Sequence, residues 1–343
     1  MTADRGLDVL VVGGGPVGLA AAIEARRHGL SAMVVEHRDG PVDKACGEGL
    51  MPTGVRALRA LGVDVGGRPF VGIRYLGGGL EVQARFRAGP GLGIRRTVLH
   101  EALRDRADEV GVEHRTAHVR TVEQGDDGVQ AAGVRARWLV AADGLHSTVR
   151  RELGLDRPAP GRVRFGLRRH YALAPWADHV EVHWSAQAEA YVTPVADDVV
   201  GVAVLGQRGV NHAEALAGFP ALQARLRGAA PVSEVRGAGP LRQSSSAVRC
   251  GRVVLVGDAA GYVDALTGEG LATGLGTARA AIHALAAGRP QDYEASWSRE
   301  TRRYRLLTAA LLEVVSAPIG RALLVPVAAR FPRAFGRGVD LLA

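Results

Sequence analysis

Cysteine is scarce in this chain of 343 residues: Cys46 and Cys250 make neither a disulfide framework nor a zinc-ligand spacing. Lysine is scarcer still, Lys44 standing alone among 43 basic residues. The others are arginines, scattered rather than clustered, so the net charge of +8 does not mark a nucleic-acid surface, although it would favour an anionic cofactor. Repeats and low-complexity segments are absent. So is any clean apolar run long enough to cross a bilayer. The best, Leu306 to Ala329, is interrupted by Glu313, Pro318, Arg321 and Pro326. It reads as two helices packed on the body, or as a surface that makes peripheral contact with a membrane or covers a greasy substrate. With 47% hydrophobic and 23% charged residues, the composition is that of a globular enzyme large enough for two subdomains. A cytoplasmic location is the default expectation.

What is present begins at residue 7. The stretch LDVLVVGGGPVGLAAAIEARRHGLSAMVVE reads as a strand, a glycine-rich turn, a helix, a second strand and a terminal acid. Gly13, Gly15 and Gly18 have the spacing of a dinucleotide fold, with Pro16 inside the same turn. Gly13 permits the tight turn out of the strand, Gly15 lets the backbone approach a pyrophosphate, and Gly18 lets the helix pack close. The helix N-terminus offers free amides and a positive dipole end to that pyrophosphate. Glu36, closing the second apolar run, is placed to accept hydrogen bonds from an adenosine ribose.

Further along, Val55 to Leu61 reads as a helix and Phe70 to Phe86 as strands and turns. Val98, Leu99, Leu103 and Ala107 mark one helical face, and Val112 to Val122 an extended strand pair. Two short buried strands end in acids: Trp138 to Ala142 runs into Asp143-Gly144, and Val253 to Val256 into Gly257-Asp258. Asp258 at a strand end suits hydrogen bonding to a polyol chain, whereas Asp143 is equally well read as a helix cap. Gly268 and Gly270 open a helix of small residues, allowing close backbone approach and aiming its dipole at a ring system. HVEVHWS alternates Val180, Val182 and Trp184 against His179, Glu181 and His183, which predicts a half-buried antiparallel strand. AYVTPV and DVVGVAVLG continue that sheet through a hairpin at Asp197-Asp198. The sheet is expected to roof a substrate, with His170, Tyr171, His183 and Tyr191 as its polar candidates.

Together, the GxGxxG turn with its distal Glu36, then IRRTVLHEAL, DGLHSTVRRELGL and GDAAGYVDALTGEGLATGL, fall in an order that resembles a known family. It is that of the single-component FAD-dependent oxidoreductases of the aromatic-hydroxylase and geranylgeranyl-reductase superfamily, over about residues 7–290. The resemblance implies an α/β fold: a Rossmann-like FAD-binding domain of glutathione-reductase type, an inserted antiparallel β-sheet substrate domain and C-terminal helices. The FAD-binding domain would take residues 1–156, including a small β insertion at about 66–94, and return at 243–290. The substrate sheet would take 157–242 and the helices 291–343. Gly13, Gly15, Pro16, Gly18 and Glu36 would hold the ADP half of FAD, with Arg96 or Arg95 reaching the nucleotide. Asp143-Gly144 would support FAD and a passing NAD(P)H, Gly257-Asp258 the ribityl chain, and Gly268 with Gly270 the isoalloxazine. No metal is expected.

The chain departs from the aromatic hydroxylases where they carry a histidine after GDAA and a proline before the next glycine turn; Gly261 and Leu266 stand nearest those places. KACGEGL and the triplet Gly268-Glu269-Gly270 lie closer to the geranylgeranyl reductases. Halogenation is a minor reading, since Lys44 is poorly placed for a halogenase lysine and Trp176 and Trp184 do not form a WxWxIP segment. Cys46 lies in a loop expected near the flavin ring, where a thiol can tune the flavin, pair with another cysteine, donate a proton, or simply fill a tight space. Glu48 shares these alternatives. Cys46, Glu48, His183 and Tyr191 are the catalytic candidates. The leading expectation is an NAD(P)H-using monooxygenase that hydroxylates an aromatic or polyketide-like compound by way of a flavin hydroperoxide. The rival is a flavoenzyme reducing alkenes of an isoprenoid or other lipid, and a non-catalytic flavin or prenyl carrier is the third reading.

Overall fold

Runs such as LDVLVV and RVVLV have no polar face, which suits strands covered on both sides in a parallel sheet. A computed structural model, describing residues 6–159, 161, 163–209 and 211–343, has them there. Along the chain the principal elements are β1 (Leu7–Val12), α1 (Pro16–Arg27), β2 (Ala32–Glu36), α2 (Pro52–Ala60), β3 (Gly72–Gly77), β4 (Leu80–Arg85), α3 (Arg96–Glu109), β5 (Glu113–Thr116) and β6 (Val134–Ala141). They continue with β7 (Phe165–Ala172), β8 (His179–Trp184), β9 (Glu189–Pro194), β10 (Val199–Gly206), β11 (Val253–Leu255), α4 (Gly270–Ala286), α5 (Asp292–Ser316), α6 (Pro318–Arg330) and α7 (Pro332–Leu342).

The first sheet has the parallel order β5-β2-β1-β6-β11, with Val11 opposite Val34 on one side and Val140 on the other. Winding reverses between β1 and β6, so a crevice opens at the carboxyl ends of these two strands. The alanines of α1 let that helix lie close on the sheet, and Ala21, Ala22 and Ile23 are fully buried beside Ala281 and Ile282 of α4.

The second sheet runs β7-β10-β9-β8-β3-β4, antiparallel except where β3 joins β8. The segment 66–94, expected as a small insertion in the first domain, thus supplies β3 and β4 to this sheet. One face packs under α5, α6 and α7 through Tyr75, Trp184, Val315, Val325 and Val339. The other is covered by two short helices, His212–Ala217 and Pro220–Leu226, through Val192, Val202, Phe219 and Leu222.

Three local expectations are corrected. β8 is buried at every residue rather than half-buried, because both its faces are covered. Val98 is 40% exposed, its inward place on α3 being taken by His100, whose Nε2 donates to the Gly14 carbonyl at 2.9 Å. Val112 to Val122 gives one strand, β5, rather than a pair; its partner is β2, reached through the nucleotide fold.

Candidate functional site

A cavity of about 810 Å³ starts at the carboxyl ends of β1 and β6 and runs beneath the second sheet. Its polar end is built by the glycine turn. Gly13 has φ +105°, and a Cβ at Gly18 would lie 1.9 Å from the Gly13 carbonyl oxygen, so only glycine lets α1 abut the turn. A Cβ at Gly15 would meet nothing within 4 Å: the space before it is open. Glu36 Oε2 accepts from Gly14 N at 2.9 Å, and Oε1 from the backbone of His37 and Arg38. Burial opposes ionisation of Glu36, but the bonds from Gly14 and Arg38 and the Arg38 charge hold its pKa below the ordinary range. His37, Arg38 and His118 complete this end, the two imidazoles 4.8 Å apart.

Across the crevice, Asp143 Oδ2 caps the short helix Thr148–Glu152, accepting from Thr148 N at 2.8 Å and Val149 N at 3.1 Å. Its Oδ1 is buried with no partner among the described residues. One oxygen thus makes the cap, and the residue as a whole also lines the cavity. Arg96 opens α3 and lines the cavity, its Nε likewise buried and unpartnered among the described residues; Arg95 is not on the lining. Lys44 lies over Gly144, with Arg38, Arg96, Asp258 and Glu36 around it. Burial, Arg38 and Arg96 lower its pKa, against Asp258 and Glu36. This lysine sits at the polar end of the cavity. Asp258 also lines the cavity, its pKa raised by burial against the pull of Arg96, Lys44 and Arg150. An open cradle, Lys44 and Arg96 without ion-pair partners among the described residues, and an orphaned donor at a helix N-terminus fit a pyrophosphate-bearing dinucleotide.

The middle of the cavity is the loop Cys46 to Leu50. Glu48 adopts φ +58°, and its N donates to Cys46 Sγ at 3.4 Å. Its carboxylate is a hub: Oε1 accepts from Arg96 N at 2.9 Å, and Oε2 lies 2.5 Å from His170 Nε2. His170 Nδ1 is in turn 2.8 Å from Ser233 Oγ, and Arg168 of β7 pairs with Asp43. A Cβ at Gly201 would lie 3.1 Å from Glu48 Oε2, so the bare glycine makes room for the carboxylate. Thr193 Oγ1 donates to Gly47 O at 2.7 Å. Two strands of the second sheet thus clamp a loop of the first.

Beyond the loop the lining turns apolar, with Met51, Ile73, Tyr75, Val182, Leu266 and Leu342. Tyr191 is half-buried there and its hydroxyl donates to Leu266 O at 2.9 Å. Tyr262 lies under Gly270, where a Cβ would come 3.0 Å from its ring. Behind this wall Arg164 pairs with Glu189 and, at 3.3 Å, with Asp264, and Arg321 of α6 reaches Glu189 at 3.0 Å. Burial pushes the Asp264 carboxyl up to about 6.

Of the expected site residues, Gly13, Gly15, Glu36, Arg96, Asp143, Asp258, Gly268 and Gly270 line the cavity with Cys46, Glu48 and Tyr191. Pro16 and Gly18 lie in the first residues of α1, and Gly144 and Gly257 at the ends of the strands that border it. His183 is corrected: it lies on the opposite face of β8 from Val182, with Nε2 3.0 Å from Glu181 Oε2. Parity along β8 puts Val180 and Val182 on the cavity, with Tyr191 of β9 paired beside Val182. Tyr171 also points away, its ring 6.3 Å from His212. His170 reaches the cavity only through Glu48. Sequence reasoning missed Lys44, His118, Arg168 and Tyr262 as wall residues, since each comes from a loop or a strand whose facing is set by distant partners.

Residues 6–290 match a family described as an FAD binding domain. Over 325 residues the chain is 30% identical to the menaquinone reductase of Mycolicibacterium smegmatis, covering 84% of this chain and 79% of that protein. It is 28% identical to the para-nitrophenol 4-monooxygenase of a Pseudomonas species, covering 81% and 77%. Among solved structures, a triple mutant of a flavin-dependent brominase superposes with a TM-score of 0.82 over 98% of this chain and 95% of that one, at 20% identity, a likeness of fold.

Proposed function

This chain belongs to the FAD binding domain family, and from that premise we propose that it is an NAD(P)H-using monooxygenase that hydroxylates an aromatic or polyketide-like small molecule. Bound FAD supplies the electron transfer and oxygen activation. The chain's residues supply the rest. Gly13 and Gly15 with the start of α1 would hold the pyrophosphate, Glu36 the adenosine ribose, and Asp258 the ribityl chain. Arg96 and Lys44 would offset the phosphate charge. The isoalloxazine would then lie between the loop at Cys46 and the turn at Gly268.

The observation that carries the reading is the apolar half of the cavity. Met51, Ile73, Tyr75, Val182 and Leu266 exclude water, and the Tyr191 hydroxyl there is already spent on the Leu266 carbonyl. Oxygen transfer to an activated ring asks mainly for a dry, positioned pocket. Glu48 and His170 hold the Cys46 loop in register against β7 instead of offering a free acid. The described residues contain no second dinucleotide fold, in keeping with a nicotinamide that docks, delivers hydride and leaves.

The test is oxygen uptake by FAD-loaded protein with NADPH or NADH and a panel of phenols, with labelled dioxygen tracing the product. Label in the product, in step with oxygen consumed, supports the reading. Anaerobic saturation of an isolated alkene, with no label incorporated, overturns it. A second reading, alkene reduction on an isoprenoid chain, is favoured by the Cys46 thiol on the cavity wall and by the likeness to menaquinone reductase. Cys46→Ala separates the two. It should abolish alkene reduction but leave oxygen transfer within about threefold, the thiol having no role in the latter.

A further inference from the structure

Half of the large hydrophobic side chains exposed among the described residues belong to the three C-terminal helices, and Phe331 between the last two adds another. They are not scattered. On α6 the outward stripe is Ile319, Leu323 and Val327, at 73%, 50% and 51% exposure and one helical turn apart. Phe331, 57% exposed, follows it. On α5 the stripe is Leu306 and Val314, 61% and 46% exposed, with the small Ala310 between them. The two meet at the break before Pro318, where the axes bend by 113°. There the Cγ1 of Val314 would stand 3.3 Å from a Cβ on Gly320, so the stripes are contiguous. Helices of a water-soluble surface place polar residues here. These helices do the reverse, while their buried faces still pack on the second sheet through Val315 and Val325.

Charge marks both ends of the stripe. Arg302 precedes Leu306 by one turn, and Arg330, Arg333 and Arg337 follow Val327. All four are exposed, and none has an ion-pair partner among the described residues. The α6 sequence contains no acidic residue, and Arg321, its inward cation, is committed to Glu189. Among the described residues no single helix is long and apolar enough to cross a membrane. An apolar stripe of this length ended by arginines suits the plane of a bilayer surface, the side chains reaching about 5–10 Å into the acyl boundary and the guanidiniums meeting phosphates.

We propose that the outward face of α6, with the adjoining end of α5, docks this protein on an anionic lipid surface. A second copy of the chain would bury the stripe equally well, but it would bring the same arginines against one another, whereas an anionic bilayer neutralises them. The proposal stands apart from the reaction assigned above, because lipid binding is read without turnover. It also bears on that reaction: Leu342, from the helix that follows the stripe, is part of the apolar wall of the cavity, so the docked element and the substrate half of the cavity share one structural unit.

The experiment is flotation of the full-length FAD-loaded protein with two vesicle preparations, phosphatidylcholine alone and an equimolar mixture of phosphatidylcholine and phosphatidylglycerol. Binding to the mixed vesicles, weakened by added salt, is expected. Leu323→Glu should weaken it at least about tenfold, and the pair Arg330→Glu with Arg333→Glu at least as much, each arginine near an anionic surface being worth about fivefold. All are exposed, so FAD content and melting temperature should match the parent and exclude misfolding as the cause. Three results overturn the proposal: parent protein left unbound by both vesicle types, variants that float like the parent, or a parent dimer in light scattering that Leu323→Glu converts to monomer.

Discussion

Replacing Gly15 with alanine asks whether the cofactor, and not the protein, is what that residue faces. The backbone of Gly15 sits at φ −70° and ψ 173°, open to alanine, and the added Cβ meets no protein atom within 4 Å. The cofactor-free fold should keep its stability within about 1 kcal/mol, a poorer helix cap being offset by a narrower unfolded ensemble. The bound state differs. A methyl group in the path of the pyrophosphate displaces it by about 1 Å. Each charge-assisted hydrogen bond broken in this way is worth ~1.5–3 kcal/mol, so the loss of one weakens FAD binding about 10- to 150-fold. Gly18→Ala is the reverse case. Its Cβ would lie 1.9 Å from the Gly13 oxygen, so the cofactor-free protein itself should lose about 1–3 kcal/mol or more. Fluorescence titration of stripped protein with FAD reads the affinity, and thermal unfolding with and without FAD reads the stability. If Gly15→Ala binds FAD within about twofold of the parent, the phosphates do not lie over Gly15 and the placement is refuted.

His183→Gln should leave kcat and KM within about threefold, because the imidazole faces away from the cavity, while costing ~1–3 kcal/mol through the buried Glu181 it partners; a tenfold fall in kcat would contradict its position. Burial raises the Glu269 carboxyl to about 7 from 4.5, so the folded protein retains a proton that the unfolded chain releases. Stability of the cofactor-free protein should therefore fall as pH rises from about 4.5 to about 7, by ~3 kcal/mol at most. Glu269→Gln should flatten that slope in urea melts across this window, and an unchanged slope would assign the proton elsewhere. Gly201→Val should crowd Glu48 off His170 and destabilise the fold by about 1–3 kcal/mol in denaturant titrations; melts that match the parent would mean that the contact is loose.

The glycine turn was legible because its requirements are local: φ at Gly13 and the approach of α1 at Gly18 involve residues five apart. Asp143 and Asp258 were legible because strand ends in such sheets converge on one crevice. Facing was harder. The alternation in β8 separates Val182 from His183, but which set meets the cavity depends on β9 and on helices some thirty residues later. Burial of both faces erased the polar-out pattern from which a half-exposed strand was expected. Glu48 drew notice only through its loop; its partners, His170 and Gly201, come from β7 and β10, and no spacing in the chain announces them. The exposed stripe on α6 shows as an apolar run in sequence, but only the packing of Val315 and Val325 tells which side is left over.

The pairing of β6 with β11 has a consequence for how the protein is made. The edge Leu139–Ala141 is complete only when Val253–Leu255 adds to it, after the whole second sheet has been synthesised. β3 waits in the same way for β8. Apolar parallel strands whose partners arrive late fold slowly and present open edges in the meantime. On a ribosome the first half of this chain therefore emerges with these strand edges still unpaired. A message cut short before Val253 yields an edge prone to sticking, with half a crevice beside it, and not a smaller working enzyme.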